Sequence, residues 1–348
     1  MKKILGFIAC LCIFASSVEA AYVLKSGKLV NSEEVATLSA QEHYSMILEA
    51  YRNGEWKELI HQANIVIKNF EDSPFYQEAF FYLGTGYFHT KEYDLANTEL
   101  SGYLKKQSSL QHFREAIELK FQIAEHFREG GKRHLMGWKA MPKWMPAQEE
   151  AMNLYEEVIS ALPTDDLAVR SLYGRGALLV LQEEFEGAIE TYQTLIRKFP
   201  KHPITPEAYI QIGKTYLTQC QVKFKDSDFL DLAEINLKKF QEDFPNDERV
   251  VLAKNTLSEM QELYAENFYE IGQFFERTKK PQAAVIYYAK IIKNYPETKT
   301  ADSSKKRLLI LRPRDEATSE KKPSQQDSIN LPSFSESHKT ERPFEKNS

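Results

Sequence analysis

The feature that most constrains this chain is a recurrence of apolar and very small residues at helical spacing. It is clearest from Leu172 to Pro200, LYGRGALLVLQEEFEGAIETYQTLIRKFP. Leu172 and Leu179, then Phe185, Ala188, Ile189, Tyr192 and Leu195, place apolar side chains along one face of each of two helices, separated by a polar break at Gln182–Glu184. Gly176 and Ala188 are small enough to let two antiparallel backbones approach closely. Pro200 ends the second helix because it has no N–H to continue the hydrogen-bond ladder. Gly272, Ala284 and Pro296 repeat the arrangement, and Gly176 to Ala188 and Gly272 to Ala284 both span 12 residues.

Bulky residue, Gly, aromatic, Ala, aromatic and Pro in that order form the tetratricopeptide pattern, whose period is about 34 residues. The first unit carries Tyr44, Ile47, Leu48 and Tyr51, a break at Gly54, then Trp56, Leu59, Ala63 and Phe70; the second opens at Pro74 and carries Gly84, Tyr87, Ala96 and Tyr103. In the third, helix A holds Ile117, Phe121 and Ala124, but its partner (Ala151, Tyr155, Pro163) arrives late, leaving extra chain at about Arg128 to Gln148. In the fifth, Gly213 to Ala233 spans 20 residues rather than 12, an insertion of 8. Glu248–Arg277 has no Pro and one Gly, which predicts one long helix. The expected fold is all-α: a right-handed α-α superhelix of five to six helix pairs over residues 41–311, with insertions in the third and fifth. Gly84, Gly176, Gly213 and Gly272 are expected at inter-helix crossings, and Ala301–Leu311 forms a helix covering the end.

The flanks differ. Lys2 and Lys3, the apolar run Ile4–Phe14 and Val18-Glu19-Ala20 make residues 1–20 a signal peptide. The run is too short for the ~20 residues of a spanning helix. Phe7-Ile8-Ala9-Cys10 also resembles a lipobox, so lipidation at Cys10 stands as the alternative to cleavage after Ala20. In residues 21–40, an N-terminal arm, Tyr22-Val23-Leu24 and Lys28-Leu29-Val30 around Ser26-Gly27 predict a small hairpin. Cleavage leaves Cys220 as a buried thiol with no internal disulfide. Residues 312–348 are polar and expected to be disordered.

No P-loop, G-x-S-x-G or H-E-x-x-H occurs. His126 and His134 lack the i,i+4 spacing of helical ligands, so no metal and no cofactor are implied. Asp226, Asp228 and Asp231 read as an interhelical loop with Asp228 as N-cap. A net charge of −5 argues against nucleic acid as a partner. The first helix of each tetratricopeptide repeat lines a concave surface. That turns Phe81, Thr85, Phe88 and His89 inward, with Tyr173, Ala177, Tyr269, Gln273 and Arg277 further along. The third-repeat insertion, REGGKRHLMGWKAMPKWMPAQ, holds two of the three Trp and three of the seven Met. With Arg133, Lys139 and Lys143 among them, Trp138 and Trp144 suit a partner interface or anionic lipid; the alternative is that both indoles fold back as a plug.

Tyr44…Gly54-Glu55-Trp56, the linker Phe70-Glu71-Asp72-Ser73-Pro74-Phe75…Glu78-Ala79 and the last repeat FYEIGQFFERTKKPQAAVIYYAKIIKNYPETKTADSSKKRL resemble the outer-membrane β-barrel assembly lipoproteins, the BamD or ComL family, over about residues 40–310. The resemblance implies a non-enzymatic scaffold in the periplasm, peripheral to or lipid-anchored at the inner face of the outer membrane. N-terminal repeats would receive unfolded outer-membrane proteins, carried over to Tyr44, Phe81, Thr85 and Phe88. C-terminal repeats would hold the assembly barrel's periplasmic domains, carried over to Tyr269, Gln273 and Arg277. Unlike that family, this chain has an extra central repeat with two insertions and a longer charged tail. A second reading is a periplasmic adaptor of the Tol or cell-division coordinator type; an N-terminal coiled-coil heptad would favour it, and residues 21–40 show none.

Overall fold

The computed structural model describes residues 22–25, 28–31, 35–105, 111–222 and 228–319. The predicted signal segment with Cys10, Asp226 and residues 320–348 of the tail lie outside them. Tyr22–Lys25 (β1) and Lys28–Asn31 (β2) pair antiparallel, Val23 opposite Val30 and Leu24 opposite Leu29, which is the hairpin expected of the arm. Thirteen α-helices follow among the described residues. They are α1 (Ala40–Asn53), α2 (Trp56–Asn69), α3 (Tyr76–His89), α4 (Tyr93–Leu104), α5 (Phe113–Arg128), α6 (Gln148–Ala161), α7 (Asp166–Leu181), α8 (Phe185–Lys198), α9 (Thr205–Val222), α10 (Asp228–Asp243), α11 (Val250–Arg277), α12 (Pro281–Asn294) and α13 (Lys299–Ser319). No helix among the described residues is long and apolar enough to cross a membrane. The chain divides into two compact units, the first ending at Leu257 and the second beginning at Ser258.

In the first unit, Ser39 opens α1 with a capping box: the Glu42 N–H donates to its hydroxyl and the Glu42 carboxylate accepts from the Ser39 N–H at 2.9 Å. The first four helix pairs each turn on one left-handed residue. Gly54, Lys91, Gly130 and Glu183 have φ of 71°, 62°, 97° and 60°. In each turn the following N–H reaches the carbonyl five residues back: Glu55 to Ala50, Glu92 to Tyr87, Gly131 to His126 and Glu184 to Leu179. This closure satisfies the carbonyls orphaned at a helix C-terminus. The third-repeat insertion therefore begins after an ordinary repeat turn. It forms a second antiparallel hairpin, Lys132–His134 (β3) with Lys143–Pro146 (β4). The fifth-repeat insertion is largely helical instead: α9 runs 18 residues and α10 runs 16. Asp228 and Asp231 lie in the first turn of α10, where negative charge favours the helix N-terminus.

Close crossings occur where the sequence predicts them, with one exception. A Cβ on Gly84 would lie 2.8 Å from Leu100 Cγ, and one on Gly176 would lie 2.6 Å from Tyr192 Cε1. Gly213 is the correction: the nearest atom to its Cβ position is Thr256 Cγ2 at 3.9 Å, ordinary contact distance. Tight sites that the repeat phase does not predict include Gly174, whose Cβ would meet the Tyr155 hydroxyl at 2.6 Å, and Gly86, whose Cβ would meet Ile60 Cγ1 at 2.7 Å. Ile47, Leu59, Phe81, Leu100, Tyr103, Ile123, Phe127 and Tyr155 fill the core of the first helix pairs. Phe240, Tyr209 and Val250 form a further cluster around α9 and α10, and Cys220 is buried on α9.

Burial of tyrosines has a consequence at high pH. Desolvation, the largest cause, pushes the Tyr103 phenol from 10.0 up to about 12. Tyr82, Tyr155, Tyr192 and Tyr209 are also driven upward, chiefly by desolvation. A folded-state value above the unfolded one means stability is complete below about pH 10 and is lost as pH rises through about 12. Alkaline titration should therefore show tyrosinate absorbance growing together with loss of helical circular dichroism. Full ionisation near pH 10 with helices intact would contradict this.

In the second unit, Gly272 crosses Tyr288 (a Cβ would sit 2.6 Å from Tyr288 Cε1), and Lys279 holds the repeat turn at φ 59°. Tyr288, Ile291, Ala284 and Ala301 are fully buried. Glu262 caps α13, accepting from the Lys299 and Thr300 N–H groups at 2.8 and 2.9 Å. The terminal helix runs through Ser319, past the Leu311 boundary expected for the polar tail. Residues 314–318 include Arg, Glu and Ala, which carry good helix propensity.

Candidate functional site: an aromatic strip

The first three helix pairs place rings from five helices in one unbroken series of contacts. Phe75 stacks on Tyr44 with centroids 4.4 Å apart, and Tyr44 meets Tyr82 at 6.0 Å. Tyr82 meets Tyr51 at 5.3 Å and Tyr51 meets Trp56 at 6.3 Å. Trp56 stacks on His89 at 3.8 Å; His89, Phe88 and Tyr93 follow at 5.5 Å each, and Tyr93 reaches His126 at 4.1 Å. Tyr82 is nearly fully buried; most of the others are half-buried over the core and His89 is exposed.

The helical period explains the series. Tyr44 and Tyr51 are seven apart on α1, so they share a face. On α3, Tyr82 and His89 are spaced in the same way. Trp56 follows the left-handed turn at Gly54, which brings its indole back to α3.

The strip is electrically neutral near pH 7. Desolvation lowers the His89 and His126 imidazoles below their usual 6.5. It raises the Tyr44 and Tyr51 phenols, the second further supported by a 3.0 Å hydrogen bond to Glu115. Uncharged rings at 4–6 Å spacing, rigid because each packs on the next, suit the apolar side chains of an extended segment.

Two residues expected on this surface lie beneath it. Phe81 is fully buried, stacked on His112 at 4.2 Å, and Thr85 is buried with its hydroxyl donating to the Phe81 carbonyl at 2.9 Å. On α3 they point into the core, because both of its faces are covered by neighbouring helices. Tyr44 and Phe88 do reach the surface. Trp56, Tyr51, Tyr93 and His126 have no signal that separates them from core aromatics in sequence; only their contacts do. Tyr173 is half-buried, its ring 5.9 Å from Tyr192.

In the second unit, Gln273 and Arg277 are exposed and Tyr269 is half-buried against Tyr288 at 5.2 Å. Spaced four apart on α11, the three share one helix face. Beside them, Glu276 accepts from the Tyr288 hydroxyl at 2.6 Å and from Arg307 Nε at 3.0 Å.

In the β3–β4 hairpin, Trp138 and Trp144 are 63% and 69% exposed; they do not fold back as a plug. Arg133 pairs with Glu150 at 3.4 Å and Lys143 with Glu92 at 2.7 Å. Glu92, Asp94 and His134 bring three metal-ligand atoms within 4.8 Å of one another. Lys143 Nζ already lies 2.7 Å from Glu92, and the His134 ring lies 2.9 Å from Asp94.

A family model described as outer membrane lipoprotein (YfiO) matches residues 179–328, and a tetratricopeptide-repeat model matches 149–203. No curated protein matches the sequence. Similar solved structures include MamA from Desulfovibrio magneticus RS-1, 17% identical over 60% of this chain and 97% of that one, with a TM-score of 0.35. YrrB, described as a TPR protein with an unusual peptide-binding site, is 13% identical over 64% of this chain and 94% of its own, TM-score 0.36. PilW, a type IV pilus biogenesis factor, is 14% identical over 77% and 99%, TM-score 0.28. The chain is thus an all-α tetratricopeptide-repeat protein whose C-terminal part is similar to an outer membrane lipoprotein family.

Proposed function

We propose that this protein is a non-enzymatic scaffold for assembly of outer-membrane β-barrels, working on the periplasmic side of the outer membrane. The observation that carries the reading is the neutral aromatic strip from Phe75 to His126. An unfolded barrel strand alternates apolar and polar side chains and is rich in aromatics near its ends. Extended against the strip, it presents an apolar side chain to the rings at every second residue. The rings are fixed by their own packing, so the client orders without the receptor having to order as well. The similarity of residues 179–328 to an outer membrane lipoprotein family supports the location. Tyr269, Gln273 and Arg277 lie within that stretch and serve as the contact for the assembly barrel's periplasmic part.

The test is photo-crosslinking in cells from a photoreactive phenylalanine at Phe88 and, separately, at Tyr269. The expected result is barrel precursors from position 88 and the assembly barrel from position 269. Recovery of neither class overturns the proposal.

A further inference from the structure

The β3–β4 hairpin is pinned where its strands meet the loop, at the His134–Lys143 pair, and carries exposed apolar side chains on the loop and on β4. The His134 N–H donates to Asp94 Oδ2 at 2.9 Å, and its ring Nδ1 lies 2.9 Å from both Asp94 oxygens. Lys143 Nζ lies 2.7 Å from Glu92 and donates to the Lys91 carbonyl at 2.7 Å. Both strands are therefore tied to the turn between α3 and α4. On the loop, Met136 and Trp138 are 72% and 63% exposed; on β4, Trp144 is 69% exposed and Met145 is exposed as well. Single exposed apolar residues are ordinary on a protein surface, but four within one hairpin mark a contact site.

Charge selects the partner. From Gly130 to Gln148 the chain has Lys132, Arg133, Lys139 and Lys143 and no carboxylate, within a protein of net charge −5. Glu150 and Glu92 match Arg133 and Lys143. Lys132 and Lys139 remain exposed, the second with its Nζ 5.2 Å above the Tyr87 ring. Indoles pair an apolar body with an N–H that needs a polar partner, the combination met at the headgroup level of a bilayer. An apolar groove on another protein would leave the two ammonium groups without counter-charge.

We propose that this hairpin lays its exposed apolar side chains into the interface of a membrane carrying anionic lipid, with Trp138 and Trp144 at the headgroup–acyl boundary and Lys132 and Lys139 at lipid phosphates. Anchoring at the His134–Lys143 pair holds the hairpin in shape, so insertion costs little conformational entropy. The site is separate from the aromatic strip, and its test is independent of the crosslinks proposed above.

The two indoles are two of the three in the chain, so tryptophan emission reads the contact directly. The full chain is mixed with phosphatidylcholine vesicles with and without phosphatidylglycerol. A blue shift of emission with the anionic vesicles, quenched by lipids brominated near the headgroup end of the acyl chain, is expected. The W138S/W144S variant should lose the shift. The K132E/K139E variant, checked for unchanged circular dichroism, should lose roughly 10–30-fold of the anionic-lipid affinity. Emission unaltered by vesicles, or a shift that persists in W138S/W144S, overturns the proposal. So does a photoreactive group at Trp138 that captures a protein while emission stays fixed.

Discussion

Gly176→Ala is expected to destabilise the first unit by about 2–3 kcal/mol, the range of overpacking in a core with no room to yield. The added Cβ would lie 2.6 Å from Tyr192 Cε1 and 2.7 Å from Cζ, and Tyr192 is itself almost fully buried. The ring cannot swing away, so the helices must part. Alanine's better helix propensity, worth up to ~1 kcal/mol, offsets only part of this. Gly213→Ala gives the internal contrast. Its Cβ meets nothing closer than 3.9 Å, so only the propensity gain remains and the variant should be up to ~1 kcal/mol more stable. Urea unfolding followed by circular dichroism compares them. Similar losses in both variants would mean that small residues at this position act through something other than helix approach.

The second large effect is at Lys120, a lysine fully buried between repeats. Its ammonium donates to Asn97 Oδ1 at 3.0 Å and Ser101 Oγ at 2.8 Å and pairs with the half-exposed Glu157. Lys120→Ala removes the stem's packing and strips two half-buried acceptors of their donor, an expected loss of ~3–4 kcal/mol. Lys120→Met keeps the volume and leaves Glu157 to solvent, so the loss should fall to ~1–2 kcal/mol, the cost of the unpaired Asn97 oxygen. The same urea titration separates the two. Equal, small losses would show that neither the charge nor the stem holds α4 against α5.

Much of the architecture is legible from residue spacing. Helix pairs, the arm's hairpin and the long helix near Glu248–Arg277 follow from periodicities that run along a single segment. The close approaches at Gly84, Gly176 and Gly272 follow from one more inference, that a glycine in phase with a partner helix marks a crossing. Gly213 shows where that inference stops: the phase is right, but no large side chain faces it. The aromatic strip shows the same limit. Tyr44 and Phe88 were reachable from the repeat pattern, whereas Phe81 and Thr85 lie one step around the same helix and belong to the core. On α3, apolar residues cover nearly the whole circumference, so periodicity alone does not say which ring faces water.

The repeat turn is the sharper case. Gly54 and Gly130 announce a left-handed residue, but Lys91, Glu183 and Lys279 hold the same conformation without a glycine, so no residue type marks their equivalence. Nor does composition show that the insertion rich in Trp and Met is pinned through His134 to Asp94, forty positions earlier in the chain. What the amino-acid order settled by itself was local: where helices begin, which stripe is apolar, and how often the pattern returns, because those depend on neighbours within a turn or two. Which aromatic is floor and which is surface, which glycine is tight, and where a buried lysine finds its acceptors were decided by tertiary contacts. Such contacts join side chains tens of residues apart, and their distances are set by how whole helices pack.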